Sequence, residues 1–191
     1  MPMSDYIRDL RAKIGTTVLE IPTVSVLTFD GAQRVLLVRH AEGNDWTTPG
    51  GMIEPYEIPT DAAVREMWEE TGLYVRLTRI VGVFGGPLCA STYANGDRVA
   101  WVSTVFAAEV VDGDPRPDGV ETLETRYFSH AEVGSVRCKP HVKIFVDAGY
   151  ASPQHAAFQP PTWRPPATLG SPATSGSAAI SHGHSASGAE E

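Results

Sequence analysis

Residues 51 to 73 combine side chains that rarely serve packing: Gly51, Glu57, then Arg65-Glu66-Met67-Trp68-Glu69-Glu70-Thr71-Gly72-Leu73. Trp46-Thr47-Thr48-Pro49-Gly50 leads into them. Glu66, Glu69 and Glu70 stand at i, i+3 and i+4, so on a helix they share an arc of about 100°. Like charges at that spacing weaken an isolated helix by a few tenths of a kcal/mol. A divalent cation reverses the effect, because hard ions such as Mg²⁺ or Mn²⁺ take carboxylate oxygens and keep waters of their own. Held in this way, a cation neutralises a pyrophosphate and acidifies a bound water. Water attack on phosphorus is then mainly a matter of position and charge. At ~7% usage per fixed position, a pattern this long occurs by chance about once in 10⁹ starting points.

The spacing predicts a helix over 59–71. Pro59 suits the first helical position, where its missing N–H is no loss, and it forces Ile58 to be extended. Gly72 is a natural C-cap. Ala63, Val64, Met67 and Trp68 cover the faces expected to pack. An arginine fork can hold a carboxylate at two points, so Arg65 is expected to grip Glu57 and tie the loop from Gly51 to the helix. Gly50 and Gly51 let the backbone come close to a cation, where a side chain would obstruct it.

Other elements must position this helix. Residues 4–14 carry Tyr6, Ile7, Leu10 and Ile14 on one helical stripe, with Ser4 as N-cap and Gly15 as stop. Segments 23–29 and 33–39 read as strands of one sheet, turned at Asp30-Gly31. Further strands are expected over 74–84, over 98–111 after the tight turn Asn95-Gly96-Asp97, and over 125–128. Residues 142–148 are apolar enough for a closing helix or strand, with helix favoured. Domain organisation follows from composition. Residues 1–150 form one domain, whereas 26 of the 41 residues from 151 to 191 are Ala, Ser, Pro or Gly. Such a segment cannot bury enough to offset chain entropy and reads as a disordered tail. Within it, the 158–166 stretch has polyproline character suited to a partner or to packing back on the domain, and His182-Gly183-His184 is a weak metal-binding pattern.

A length of 191 residues, 42% hydrophobic and 20% charged, describes an ordinary globular chain with room for a core. The net charge of −8, without a cluster of Lys or Arg, argues against DNA or RNA as partner. Cys89 and Cys138 lie far apart in no ligand-like spacing and read as small free thiols in a reducing compartment. No apolar run approaches a membrane span and no signal peptide opens the chain, so a cytoplasmic location away from membranes is expected.

With these residues in view, the chain resembles the Nudix hydrolases, whose box is G-x5-E-x7-R-E-U-x-E-E-x-G-U with U aliphatic. Gly51, Glu57, Arg65, Glu66, Glu69, Glu70 and Gly72 match it, with Met67 and Leu73 as U. The resemblance covers roughly 16–150. It implies an α/β fold, an α/β/α sandwich around a mixed β-sheet, and Mg²⁺- or Mn²⁺-dependent hydrolysis of a nucleoside diphosphate linked to another group. By the same resemblance Glu66, Glu69, Glu70 and the Gly50 carbonyl are metal ligands, with Glu66 or Glu69 as catalytic base. Gly51, Glu57, Arg65 and Gly72 support the motif. Two positions depart from family usage. Tyr56 stands where glycine is frequent, placed to close the site or stack on a base. Ile58 replaces a Ser/Thr cap worth ~1 kcal/mol.

The segments around Tyr93 to Asp97 and Asp118 to Phe128 resemble a subgroup acting on ADP-ribose or nucleoside triphosphates. In that subgroup a later glutamate lies near the metals, and Glu121 is preferred over Glu124 for it. Arg39, at a strand end, is a candidate phosphate contact. Tyr56, Phe84, Tyr93 and Trp101 are candidates for base stacking. Pro87, fourteen residues past Leu73, only approaches the spacing found in ADP-ribose hydrolases of the family. The expected partner is a nucleotide-type small molecule. Homodimers are common in the ADP-ribose subgroup, with the 4–14 helix as a contact, and a monomer fits equally. The alternative function is a Nudix-fold nucleotide-binding regulatory module without turnover.

Overall fold

In the computed structural model, which describes residues 4–151 and 155–162, the elements run in the order α1 (Asp5–Ile14), β1 (Leu19–Thr28), β2 (Val35–His40), β3 (Trp46–Thr47), α2 (Pro59–Thr71) and β4 (Tyr74–Phe84). They continue with β5 (Ala90–Thr92), β6 (Arg98–Asp112), β7 (Thr122–Phe128), α3 (His130–Val133), α4 (Val142–Ala151) and β8 (Ala157–Phe158). β6 lies between β1, to which it is parallel, and β4, to which it is antiparallel. β5 folds back on β6, and β8 adds to β4 in parallel. β2 pairs antiparallel with β3 and β7 in a second sheet.

Side chains alternate across a strand, and that alternation creates two cores. Val24 and Val26 of β1, Leu36 of β2, and Phe106 and Ala108 of β6 pack with Ala62, Ala63 and Met67 of α2. Leu27, Val35, Leu37, Val105 and Ala107 turn the other way, toward Val142, Phe145 and Val146 of α4. Each fully buried Val, Leu or Phe in these layers contributes about 1.5–3 kcal/mol. The helices on opposite faces make the expected α/β/α sandwich around mixed strands.

Three expectations are corrected. Residues 23–29 and 33–39 do not share a sheet: among the described residues the backbones of β1 and β2 pair at one isolated bridge, between Phe29 and Val35. The Asp30 carboxylate accepts the amides of Ala32 and Arg34, making a tight corner that sends β2 into the second sheet. Trp68 is 51% exposed, and Ala62 takes the packing place expected of it. The compact unit extends to Gln159, past residue 150. α4 ends at Ala151, β8 pairs with Gly82 and Val83, and the Gly85 amide donates to the Gln159 side chain. The 158–166 stretch lies partly, and His182-Gly183-His184 wholly, outside the described residues. Cys89 is buried, Cys138 partly so, and both are free thiols. Among the described residues no helix is long and apolar enough to cross a membrane.

Candidate active site

α2 forms over 59–71 with Pro59 at its start, Ile58 extended and without a side-chain cap, and Gly72 left-handed at its end. Of the three clustered carboxylates, Glu66 and Glu70 are buried, at 1% and 4% exposure, while the Glu69 side chain stays half exposed. Periodicity alone does not distinguish them. The Ala62/Ala63/Met67 face packs against the sheet and carries Glu66 and Glu70 down with it.

Arg65 holds this arrangement. Its Nε and Nη2 donate to the two Glu57 oxygens at 2.8 and 2.9 Å, the forked grip expected from the sequence. Nη2 also donates to the Met52 carbonyl at 3.1 Å, and Nη1 to Glu66 and Glu69 at 2.8 and 3.1 Å. The Arg65 hydrogen bonds keep the Glu57 carboxyl below its ordinary pKa, and Glu57 in turn raises that of the guanidinium. Glu66 behaves differently: burial raises its pKa to about 7 against the opposing pull of Arg65. Burial also raises Glu70 well above the ordinary range, with the Glu66 charge adding to it.

The glycine turn is shaped to this cluster. The Gly50 amide donates to Glu70 Oε2 at 3.0 Å. Gly50 has φ of +144°, and a Cβ there would lie 2.2 Å from the Val24 carbonyl oxygen, so only glycine fits. A Cβ on Gly51 would lie 2.5 Å from Glu66 Oε1 and displace that carboxylate. β1 takes the flanking carbonyls, with Val26 N–H donating to Pro49 and Val24 N–H to Gly51. The Gly50 carbonyl is the one of the three that the strand does not claim.

A cavity of about 370 Å³ is lined by Glu54, Glu66, Glu69, Glu70, Asp118 and Glu121, with Arg65 and Ser4 at its wall. Glu121 lines the same cavity as the three box glutamates. One ligand atom from each of His40, Glu70 and Glu121 lies within 4.8 Å of the others. His40, Glu54 and Asp118 were not singled out from the sequence. His40 lies two alternations past Leu36 on the face of β2 that packs toward α2, a placement that needs that face to be known first. Asp118 did carry a signal, as the first residue of an Asp-Gly turn.

Two candidates fall elsewhere. Arg39 pairs with Glu124 at 3.0 Å and with Asn44 at 2.7 Å and lines neither this cavity nor its larger neighbour, because alternation along β2 puts His40, not Arg39, on the face that Leu36 turns toward α2. Tyr56 is wholly exposed, lines neither cavity and has φ of +69°. It occupies a left-handed turn position, which explains the frequent glycine there, and its side chain is carried into solvent. Phe84 is buried against Phe145, and Pro87 sits in an exposed turn.

The donor set suits a divalent metal. Glu66 Oε2 is buried with no hydrogen-bond partner among the described residues. An oxygen so placed is costly unless a cation meets it, and clustered carboxylates are the ligands Mg²⁺ and Mn²⁺ prefer.

The acidic helix α2 thus lies behind a glycine turn, on one face of an α/β/α sandwich. Residues 19–147 match the NUDIX domain, and the chain belongs to that family. It is 30% identical over 104 residues to a Bacillus subtilis (strain 168) protein carrying the provisional name 8-oxo-dGTP diphosphatase, covering 54% of this chain and 63% of that one. It is 51% identical over 51 residues to human (Homo sapiens) diphosphoinositol polyphosphate phosphohydrolase 3-alpha, covering 26% of this chain and 31% of that one. The chain therefore spans less than two thirds of the length of these relatives. Among solved structures, a NUDIX hydrolase from Nitrosomonas europaea aligns with a TM-score of 0.57 at 24% identity, over 70% of this chain and 90% of that one. An ADP-ribose pyrophosphatase from Streptococcus suis aligns with a TM-score of 0.53 at 20% identity, over 72% and 96%. Both show likeness of fold.

Proposed function

We propose that this protein hydrolyses a phosphoanhydride bond in a nucleoside diphosphate linked to another group, with Mg²⁺ or Mn²⁺ as cofactor. The substrate is of ADP-ribose or (d)NTP type. The observation that carries this reading is the convergence of Glu66, Glu69, Glu70 and Glu121 on one cavity, beside an arginine already occupied by Glu57. The names of the Bacillus subtilis and human relatives support phosphoanhydride chemistry, and the first supports a nucleotide.

Glu66, Glu69, Glu70 and the Gly50 carbonyl would hold the metal. When bound, it offsets the charge of the diphosphate and lowers the pKa of water. Glu70 is fixed by the Gly50 amide and Glu66 by Arg65, so both carboxylates are oriented before substrate arrives. Water oxygen attacks phosphorus, the bond to the bridging oxygen breaks, and the leaving phosphate departs with the electron pair. The water's proton passes to a cluster carboxylate, Glu66 or Glu69. Arg65, Glu57, Gly51 and Gly72 act on the geometry alone.

The test is turnover by purified protein with Mg²⁺ of ADP-ribose, NADH, dinucleoside polyphosphates, and normal and oxidised (d)NTPs. At least one should be cleaved, with activity abolished by EDTA and restored by Mg²⁺ or Mn²⁺. Tight binding of one compound with turnover of none would instead make the chain a nucleotide-binding module.

A further inference from the structure

A second cavity, of about 850 Å³, shares Ser4, Glu70 and Glu121 with the acidic one and runs past His40 and Lys139 to Tyr93, Trp101 and His141. Where the two cavities meet, His40 has the look of a further metal ligand. One of its ring nitrogens lies within 4.8 Å of a carboxylate oxygen of Glu70 and of Glu121. Its hydrogen bonding argues for a different role. His40 Nδ1 accepts the Glu42 amide at 3.3 Å. A ring that accepts at Nδ1 is neutral and carries its one proton on Nε2. The Nδ1 lone pair is then engaged and Nε2 has none to give a cation. What His40 offers the cavity is an N–H donor.

Lys139 stands near it. The neighbouring guanidinium groups are already engaged, Arg65 by Glu57, Glu66 and Glu69, and Arg11 by Asp97 and the carbonyls of Gly15, Thr17 and Arg98. Asp45 Oδ2 and Lys139 Nζ both lie against Gly43, 3.1 and 3.5 Å from where a Cβ on that residue would stand. Asp45, however, is taken by Arg137 at 2.5 Å. Among the described residues the Lys139 amine has neither an ion pair nor a side-chain hydrogen bond. Its charge reaches into the cavity: burial lowers the pKa of His40 and of His141, and Lys139 adds to the effect at both. Glu42, which holds His40, and Gly43, which touches Lys139, are consecutive, so a single turn between β2 and β3 sets the donor and the cation together.

We propose that His40 Nε2–H and the Lys139 amine form an anion site in the larger cavity, beside the metal-binding carboxylates, for the substrate phosphate that the metal does not neutralise. The proposal rests on the hydrolase reading above and makes His40 a substrate contact in place of a metal ligand. Hydrogen bonds from a cation to a phosphate are among the stronger ones. Glu42, Asp45 and Asp97 also line this cavity, so the site suits one phosphate group and repels a cluster of them.

Inorganic pyrophosphate with Mg²⁺ is the probe, its binding followed by calorimetry. A hydrogen bond to a charged group is worth about tenfold or more in affinity, so His40→Leu and Lys139→Met should each weaken binding at least tenfold. His40→Gln keeps an N–H donor and Lys139→Arg keeps the charge, and both should stay within threefold of the wild type. Mn²⁺ binding without pyrophosphate, read by electron paramagnetic resonance, should weaken in none of the four. In steady state the losses should appear in KM for the substrate turned over. Weaker Mn²⁺ binding in His40→Leu would make His40 a ligand and overturn the proposal, as would unchanged pyrophosphate binding in Lys139→Met. Pyrophosphate binding that fails in those two variants, with turnover of no compound by the wild type, would overturn the hydrolase reading and leave the anion site standing.

Discussion

Glu66 and Glu70 are buried as carboxylates while Glu69, on the same helix, remains at the rim. All three face one cavity, so each is expected to contribute charge to the metal site. Glu69→Gln and Glu70→Gln should each lower kcat by ~10²-fold or more. A loss under threefold in either would remove that residue from the ligand set. Tyr56 makes a contrasting case, with its side chain in solvent and its backbone in the left-handed region. Such a conformation costs a non-glycine residue about 1–2 kcal/mol. Tyr56→Gly should therefore leave KM unchanged and hold or raise the melting temperature, glycine's greater unfolded-state entropy offsetting part of the gain. A tenfold rise in KM would restore Tyr56 to the substrate site.

At the scale of elements, the 118–122 turn joins the later strands to the acidic helix. Asp118 Oδ1 accepts the amides of Val120, Glu121 and Thr122 at 2.9 to 3.0 Å. Burial pushes the Asp118 pKa up, but these bonds more than offset it and hold the carboxyl below its ordinary value. Thr122 Oγ1 lies 2.9 Å from the Glu70 carbonyl and 3.0 Å from Asp118 Oδ1, and its single proton serves one at a time. The turn thus fixes Glu121 relative to Glu70. Thr122→Val should lower kcat about tenfold with KM little changed, and Thr122→Ser should keep the wild-type rate. In a Glu121→Gln background the Thr122→Val loss should disappear. Additive losses in that double-mutant cycle would mean that Thr122 does not act through Glu121.

For the whole molecule, stability follows the burial of His141, which sits where α4, β3 and β6 meet. Its folded pKa of about 4 lies below the ordinary 6.5, so between these values the unfolded chain binds more protons. Folding stability is then full above pH 6.5 and falls as pH drops toward 4, by at most about 3 kcal/mol from this group. Urea unfolding of wild type and His141→Gln at pH 7 and pH 4.5 checks the sign: the wild type should lose more stability than the variant. Equal losses would show that His141 is not held neutral by the fold.

The acidic edge of α2 could be read from the sequence because helical periodicity is local. Thirteen consecutive residues bracketed by Pro59 and Gly72 carry the whole pattern, and no distant contact is needed to place three carboxylates together. The Glu57–Arg65 grip was legible for a similar reason, since only Ile58 and the first turns of α2 separate the two. Strand positions followed from alternation, but sheet membership did not: the corner at Asp30 sends β2 away from β1. Only the tertiary structure decided that Glu66 and Glu70 are buried and Glu69 is not, because that depends on which face of α2 meets the sheet. It turned the Leu36 face of β2, and with it His40 in place of Arg39, toward α2, and it brought Trp101 of β6 and His141, just before α4, to one cavity. Contacts of this kind depend on strand register and layer packing, which are settled only when the whole chain closes on itself.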